Sequence, residues 1–240
     1  MDVDRGARAA VSGLGKRSFA CDNDVSREVR ESRDRIMEDY RWTYDEMRNK
    51  SPVDLGNYTP EDHFRQWLLL WPADAVLWIG EVTDSGREEA ATHFRPVSEW
   101  YDIGPVMGRY TTGSRFRPGS CSRCEDQVQS REFLVVESDT LGKDQVGAVF
   151  RWMQRELRMD LHCIVDTGGK SLHAWFGAPR EELLPGLKSA LEVLGCDTKL
   201  FGASQPCRVP GAWREEKLQR LLWCRAGPGG ETHSDKIDRK

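Results

Sequence analysis

Leu161-His162-Cys163-Ile164-Val165-Asp166-Thr167-Gly168-Gly169-Lys170-Ser171-Leu172-His173-Ala174-Trp175-Phe176 sets two short apolar runs on either side of a glycine pair. Short apolar runs bounded by turn residues read as strands, and Gly-Gly readily supplies the positive φ of a tight hairpin. The spacing predicts strands over Leu161 to Asp166 and Ser171 to Phe176. Upstream, Val146, Val149, Phe150, Met153 and Leu157 recur at helical spacing, so Asp144 to Arg158 is expected to be a helix, preceded by a strand over Phe133 to Ser138. Downstream, Leu183, Leu184, Leu187, Leu191 and Leu194 line a second helix that Gly195 terminates. The segments around Pro206 to Pro210 and Leu218 to Trp223 supply further strands. The resulting order, β-α-β-β-α-β, is a split βαβ arrangement with helices on one face of a sheet, an α+β fold whose other face is expected to be open.

The first part of the chain reads less clearly. Residues 1–25 mix Gly, Ala and charge without period, and residues 226–240 open on Gly-Pro-Gly-Gly, so both ends are expected to be disordered tails. Ser26 to Lys50 reads as one charged helix with a thin apolar stripe at Val29, Ile36, Tyr40 and Met47. Thr59-Pro60-Glu61-Asp62 is a helix start, Pro72 a stop, and Val76 to Ile79 a buried strand. Residues 85–119 show turns at Gly104, Gly108, Gly113 and Gly119 but no period. The expected division is an N-terminal helical and α/β subdomain over 26–130 and a second subdomain over 131–225.

With 240 residues, 38% hydrophobic and 31% charged, the composition is that of an ordinary soluble protein. No apolar stretch approaches the roughly 18 residues of a membrane helix, and Asp4, Arg5, Arg8 and Lys16 interrupt the first twenty residues, so a cytoplasmic protein without membrane partners is expected. Seven cysteines without a secretory signal are expected to be reduced. Cys121-x-x-Cys124 has zinc-ligand spacing, but no second Cys/His pair follows at a suitable interval, so zinc is not expected there. The net charge of −4 is not that of a general nucleic-acid coat. Locally the balance reverses: Arg109, Arg115, Arg117, Arg123 and Arg131 face only Glu125 and Asp126, and Arg208, Arg214, Lys217, Arg220 and Arg225 face only Glu215 and Glu216. The first stretch is a candidate for template phosphates.

Chemistry concentrates where the predicted strands end. In a strand Glu137 and Asp139 point the same way, and two like charges side by side favour a cation between them. Ser171 and His173 alternate with Leu172 and Ala174, so if the apolar set packs on the helices they face the other side. Asp197 follows the Gly195 stop, and Arg208 lies eleven residues on. Mg²⁺ or Mn²⁺ prefers carboxylate oxygens and retains positions for phosphates, and a two-ion site aids phosphoryl transfer. Arginine can hold the phosphates bidentately. Taken singly these features have plain structural readings, as a solvated edge, a core histidine or a turn cap; their order makes them a set.

Glu137-Ser138-Asp139, Ser171-Leu172-His173 and Cys196-Asp197 resemble, in order and approximate spacing, the three motifs of the archaeo-eukaryotic primase superfamily. Gly168 to Phe176, Arg208-Val209-Pro210-Gly211 and Gln219 to Trp223 look like the primase-polymerase proteins of phages, plasmids and other mobile genetic elements. The resemblance covers about residues 131–224 and implies an RRM-like catalytic half performing DNA primase or DNA polymerase chemistry, a metal-dependent nucleotidyl transfer from nucleoside triphosphates. Carried over by motif, Glu137, Asp139 and Asp197 would hold magnesium or manganese, and Ser171, His173, Arg208 and Lys170 would contact the nucleotide. Glu137 stands where the family usually has aspartate. Partners implied are a single-stranded DNA template, nucleoside triphosphates and a replicative helicase.

Two other classes stay open. An RRM-like nucleic-acid binding module without catalysis would stack bases on strand-face aromatics such as Trp175. A nuclease or nucleotide hydrolase would use the same acids.

Overall fold

The computed structural model describes residues 22–82 and 88–225; the two expected tails lie, in all but residues 22–25, outside them. Among the described residues the α-helices, in chain order, are α1 (Asp22–Asp39), α2 (Tyr44–Asn49), α3 (Pro60–Leu68), α4 (Val97–Ile103), α5 (Lys143–Arg155) and α6 (Leu184–Leu194). The strands are β1 (Val76–Trp78), β2 (Phe94–Pro96), β3 (Tyr110–Thr111), β4 (Ser114–Phe116), β5 (Val128–Arg131), β6 (Phe133–Val136), β7 (Leu161–Asp166), β8 (Leu172–Gly177), β9 (Cys207–Arg208), β10 (Trp213–Arg214), β11 (Lys217–Leu218) and β12 (Arg220–Cys224). The fold is mixed α+β with antiparallel sheets.

The expected helix over 26–50 is two helices. Thr43 caps α2: its hydroxyl accepts from Glu46 N (3.2 Å) while Thr43 N donates to the Glu46 carboxylate (3.0 Å). This reciprocal capping box breaks the run. Trp42, just before it, is buried, and its carbonyl lies where a Cβ on Gly147 of α5 would come within 2.2 Å. The start at Thr59 forms as the sequence predicts, with the same reciprocal bonds to Asp62. Helix α5 stops at Arg155, three residues before the expected end, and the chain turns away at Arg158, whose φ is 54°. Gly195 ends α6 in the left-handed conformation, at φ 92°.

The main sheet has the order β12-β7-β8-β6, every neighbouring pair antiparallel. Strands β6 and β7 are therefore parallel with β8 between them, the predicted split connection around α5. The chain leaving α6 returns beside the free edge of β6, where Glu137 and Asp197 form an isolated antiparallel bridge. The last long strand, β12, is on the opposite edge, against β7.

One face behaves as predicted. Leu134, Val136, Ile164, Leu172, Ala174 and Phe176 pack against Val146, Val149, Phe150, Met153, Leu187, Leu191 and Leu194 of α5 and α6. The other face, expected to be open, is covered over most of its length. Phe133, Val135, Cys163, Val165 and Trp175 share a core with Phe64, Trp67, Trp71, Leu77, Ile79 and Trp100 from the N-terminal half. The ring of Trp175 meets Trp67 at 5.6 Å, Phe133 at 5.8 Å and Trp71 at 6.4 Å, all edge-on, and is fully buried. It is a packing residue with no face left for a base. The cause lies in the stretch 59–79, whose Phe64, Trp67, Leu68, Trp71, Leu77 and Ile79 need an apolar partner of their own. A second sheet, β2-β1-β4-β5, completes this layer, and the described part of the stretch illegible in sequence, residues 88–119, contributes β2, α4, β3 and β4 to it and around it.

Candidate functional site

Strands β6 and β7 end, and β8 begins, at one end of the main sheet. Val165 lies opposite His173, and Val136 opposite Ala174. That register brings Glu137 next to His173 on the face away from α5 and α6, at the margin of the covered region.

Glu137 Oε2 is 2.9 Å from His173 Nε2, and their side chains are only 13% and 6% exposed. The other ring nitrogen, Nδ1, accepts a hydrogen bond from the backbone N–H of Arg208 at 3.2 Å. With Nδ1 occupied as an acceptor, the proton of the neutral ring is at Nε2, facing the carboxylate. Burial pushes the Glu137 carboxyl upward, yet hydrogen bonds from His173 and Ser171 outweigh it and hold the group below its ordinary 4.5; Asp197 opposes them by its own charge.

Asp197 is placed by the bridge, its N–H donating to the Glu137 carbonyl at 2.9 Å. Its Oδ1 accepts from Lys199 N at 2.8 Å and its Oδ2 lies 3.2 Å from the Lys199 ammonium. Asp139 is exposed and lies beyond the strand, so the alternation that put it on the face of Glu137 ends too early. Ser138 is the reason: its buried hydroxyl donates to Gly195 O at 2.6 Å and accepts from Thr140 N and Leu141 N at 3.2 and 3.0 Å. The turn thus made fastens the end of β6 to the glycine that stops α6. Ser138 is a residue that the reading of the sequence passed over. Among the described residues no three Asp, Glu, His or Cys side chains are gathered to hold a metal ion.

The expected nucleotide contacts divide. Arg208 belongs to β9, paired with β3, and its guanidinium lies 4.2 Å from the centre of the Tyr110 ring. Its Nη1 is buried without a hydrogen-bond partner, and burial lowers its pKa, with Arg214 and Arg109 repelling its charge. A buried, unsatisfied guanidinium nitrogen is costly unless an anion answers it. Ser171 is half-buried beside Glu137, whereas Lys170 is exposed on the turn. That turn is formed by Gly168 at φ 70° and by Asp166, which accepts from Gly168 N at 3.0 Å. Arg214 packs on it, its Nη1 2.8 Å from where a Gly169 Cβ would stand.

The first basic stretch is largely committed within the protein. Arg109 pairs with Glu81 at 2.9 Å, Arg115 with Glu132 at 2.8 Å, Arg131 donates to Phe201 O at 2.6 Å, and Arg123 lies 4.3 Å over the Trp78 ring. These arginines hold loops to the sheets instead of forming a phosphate track. Cys121 and Cys124 are exposed thiols, with Ser122 Oγ 3.0 Å from Cys124 Sγ. No helix among the described residues is long and apolar enough to cross a membrane. Comparison of the chain with protein-family models, with curated proteins and with solved structures finds no match.

Proposed function

We propose that this protein is a template-directed nucleotidyltransferase of the archaeo-eukaryotic primase type, joining nucleoside triphosphates on single-stranded DNA, with residues 131–224 as an RRM-like catalytic half. The observation that carries this reading is the convergence of Glu137, His173, Asp197 and Arg208, far apart in sequence, at one end of one sheet. Supporting it is the unanswered Nη1 of Arg208, a donor suited to a phosphate oxygen.

The donor chemistry fits Mg²⁺ or Mn²⁺. Glu137 and Asp197 offer oxygens only and repel each other, and Asp139 is exposed close by in the chain. Holding an ion with all three needs the Asp139 turn and the Lys199 ammonium to yield. Such an ion, once bound, would supply charge neutralisation for the phosphates. The rest falls to the chain: His173, locked in one tautomer between Glu137 and Arg208 N–H, fixes the carboxylate, while Arg208 and Ser171 supply donors to the nucleotide. A non-catalytic module that stacks bases on the sheet loses its basis, because Phe133 and Trp175 are covered.

The test is incubation with a single-stranded template, labelled nucleotides and Mn²⁺. Elongated product is expected, reduced about a hundredfold or more in Glu137→Gln, which keeps the shape and removes the charge. Shortened template, or phosphate release without polymer, would overturn the reading in favour of a nuclease or hydrolase.

A further inference from the structure

A cavity of about 610 Å³ opens at the β12 edge of the main sheet, between α2, α3 and the β10-β11 hairpin. Small-molecule sites fall in the range of about 300–1,000 Å³. Neither Glu137, Ser171, His173, Asp197 nor Arg208 lines it; it reaches the site above only through the Gly168-Gly169 turn.

Its charge is unbalanced. Asp166 is already satisfied, with Lys143 Nζ at 2.9 Å from both oxygens, the Tyr44 hydroxyl at 2.7 Å and Gly168 N at 3.0 Å. Arg48, Lys217 and Arg220 also line the cavity, and their side chains carry no hydrogen bond or ion pair among the described residues, leaving only Glu216 against them. In the wall sits His63, 4% exposed, with Nδ1 lacking any partner. Such a group waits for a hydrogen bond that the protein does not supply. On the hairpin the indole of Trp213, also part of the lining, is 54% exposed, an aromatic face open to stacking.

Free cations, an unsatisfied buried imidazole and an exposed indole around one cavity call for a ligand that is planar at one end and anionic at the other. We propose that the cavity is a second binding site, for a phosphate-bearing nucleoside unit, with its base against Trp213 and its phosphate against Arg48, Lys217 and Arg220. The unit is a free nucleotide or the phosphorylated end of a strand. No metal ion is required, since the three cations meet the phosphate directly. The assignment does not depend on the transfer chemistry proposed above.

Calorimetric titration of the full chain with AMP in the presence of a chelator tests it. Binding is expected, weakened about tenfold or more in both Arg220→Ala and Arg48→Ala and less in Arg220→Lys. Quenching of tryptophan emission by AMP should disappear in Trp213→Phe. A 5′-phosphorylated oligonucleotide that displaces AMP while its 5′-hydroxyl counterpart does not identifies a strand end; displacement by neither identifies a free nucleotide. The proposal is overturned if AMP does not bind, if adenosine binds equally well, or if both arginine variants bind like the parent. Because the elongation assay reads Glu137 and this titration reads Arg48 and Arg220, either can fail without the other.

Discussion

His63 carries the clearest pH consequence in the molecule. Burial, then the nearby Arg220 charge, pushes its pKa down from 6.5 to about 4. The unfolded chain therefore binds a proton between these values that the folded chain refuses, so stability is intact above pH 6.5 and declines as pH falls towards 4. The loss is on the order of 3 kcal/mol by proton linkage. Urea midpoints over this window should fall steeply for the parent and less steeply for His63→Gln. Glu137 acts lower: held below 4.5, its contribution is present above that value and disappears as pH drops through the folded one. At this scale the sequence identified side chains better than their surroundings. Glu137, His173 and Asp197 stood out by chemistry and order, but nothing local announces that Arg208 offers its backbone N–H to His173, or that Arg109 and Arg115 are spent on Glu81 and Glu132. Those pairings join residues up to 35 positions apart and follow only from the finished fold.

Among the elements, helix α5 is the most constrained. Gly147 is intrinsically a poor helix residue, and alanine there would ordinarily add about 1 kcal/mol. Here a Cβ would come within 2.2 Å of the Trp42 carbonyl and 2.9 Å of Met47, so Gly147→Ala is expected to destabilise, with a lower thermal midpoint. Thr43→Ala should cost about 1 kcal/mol by removing the cap that starts α2. This cap marks both the success and the limit of reading elements from the chain. Strands β7 and β8, helix α6 and the start of α3 were legible because periodicity and punctuation agree. The break before α2 was not, although Thr43-x-x-Glu46 is the same signature as Thr59-x-x-Asp62; the apolar stripe continues across it and hides the interruption. Ser138 escaped for a related reason, since a hydroxyl between two acids looks like a spacer until Gly195 arrives beside it.

For the whole molecule, the covered sheet matters most. Trp175→Ala is expected to cost about 3–5 kcal/mol, read as a lower urea midpoint, because the rings of Trp67, Trp71 and Phe133 lose their common centre. A boundary near residue 131 was a natural reading of a chain whose clear pattern begins at 132, but Phe64, Trp67 and Trp71 close the same core as Phe133 and Trp175. The join itself is short. Strand β5 ends at Arg131 and β6 begins at Phe133, and both Glu132 N and Phe133 N donate to Gly113 O, at 3.1 and 2.8 Å. One almost continuous ribbon therefore serves as the edge of one sheet and then of the other, stapled at the crossing. Turning one layer against the other would therefore twist this ribbon at its staple on Gly113. The short β10-β11 hairpin at the periphery, a two-stranded ladder of its own, is tied in turn at its base by Gly211 N to Gln219 O at 2.7 Å and Gln219 N to Ala212 O at 2.9 Å, and at its side by Arg214 against the Gly168-Gly169 turn.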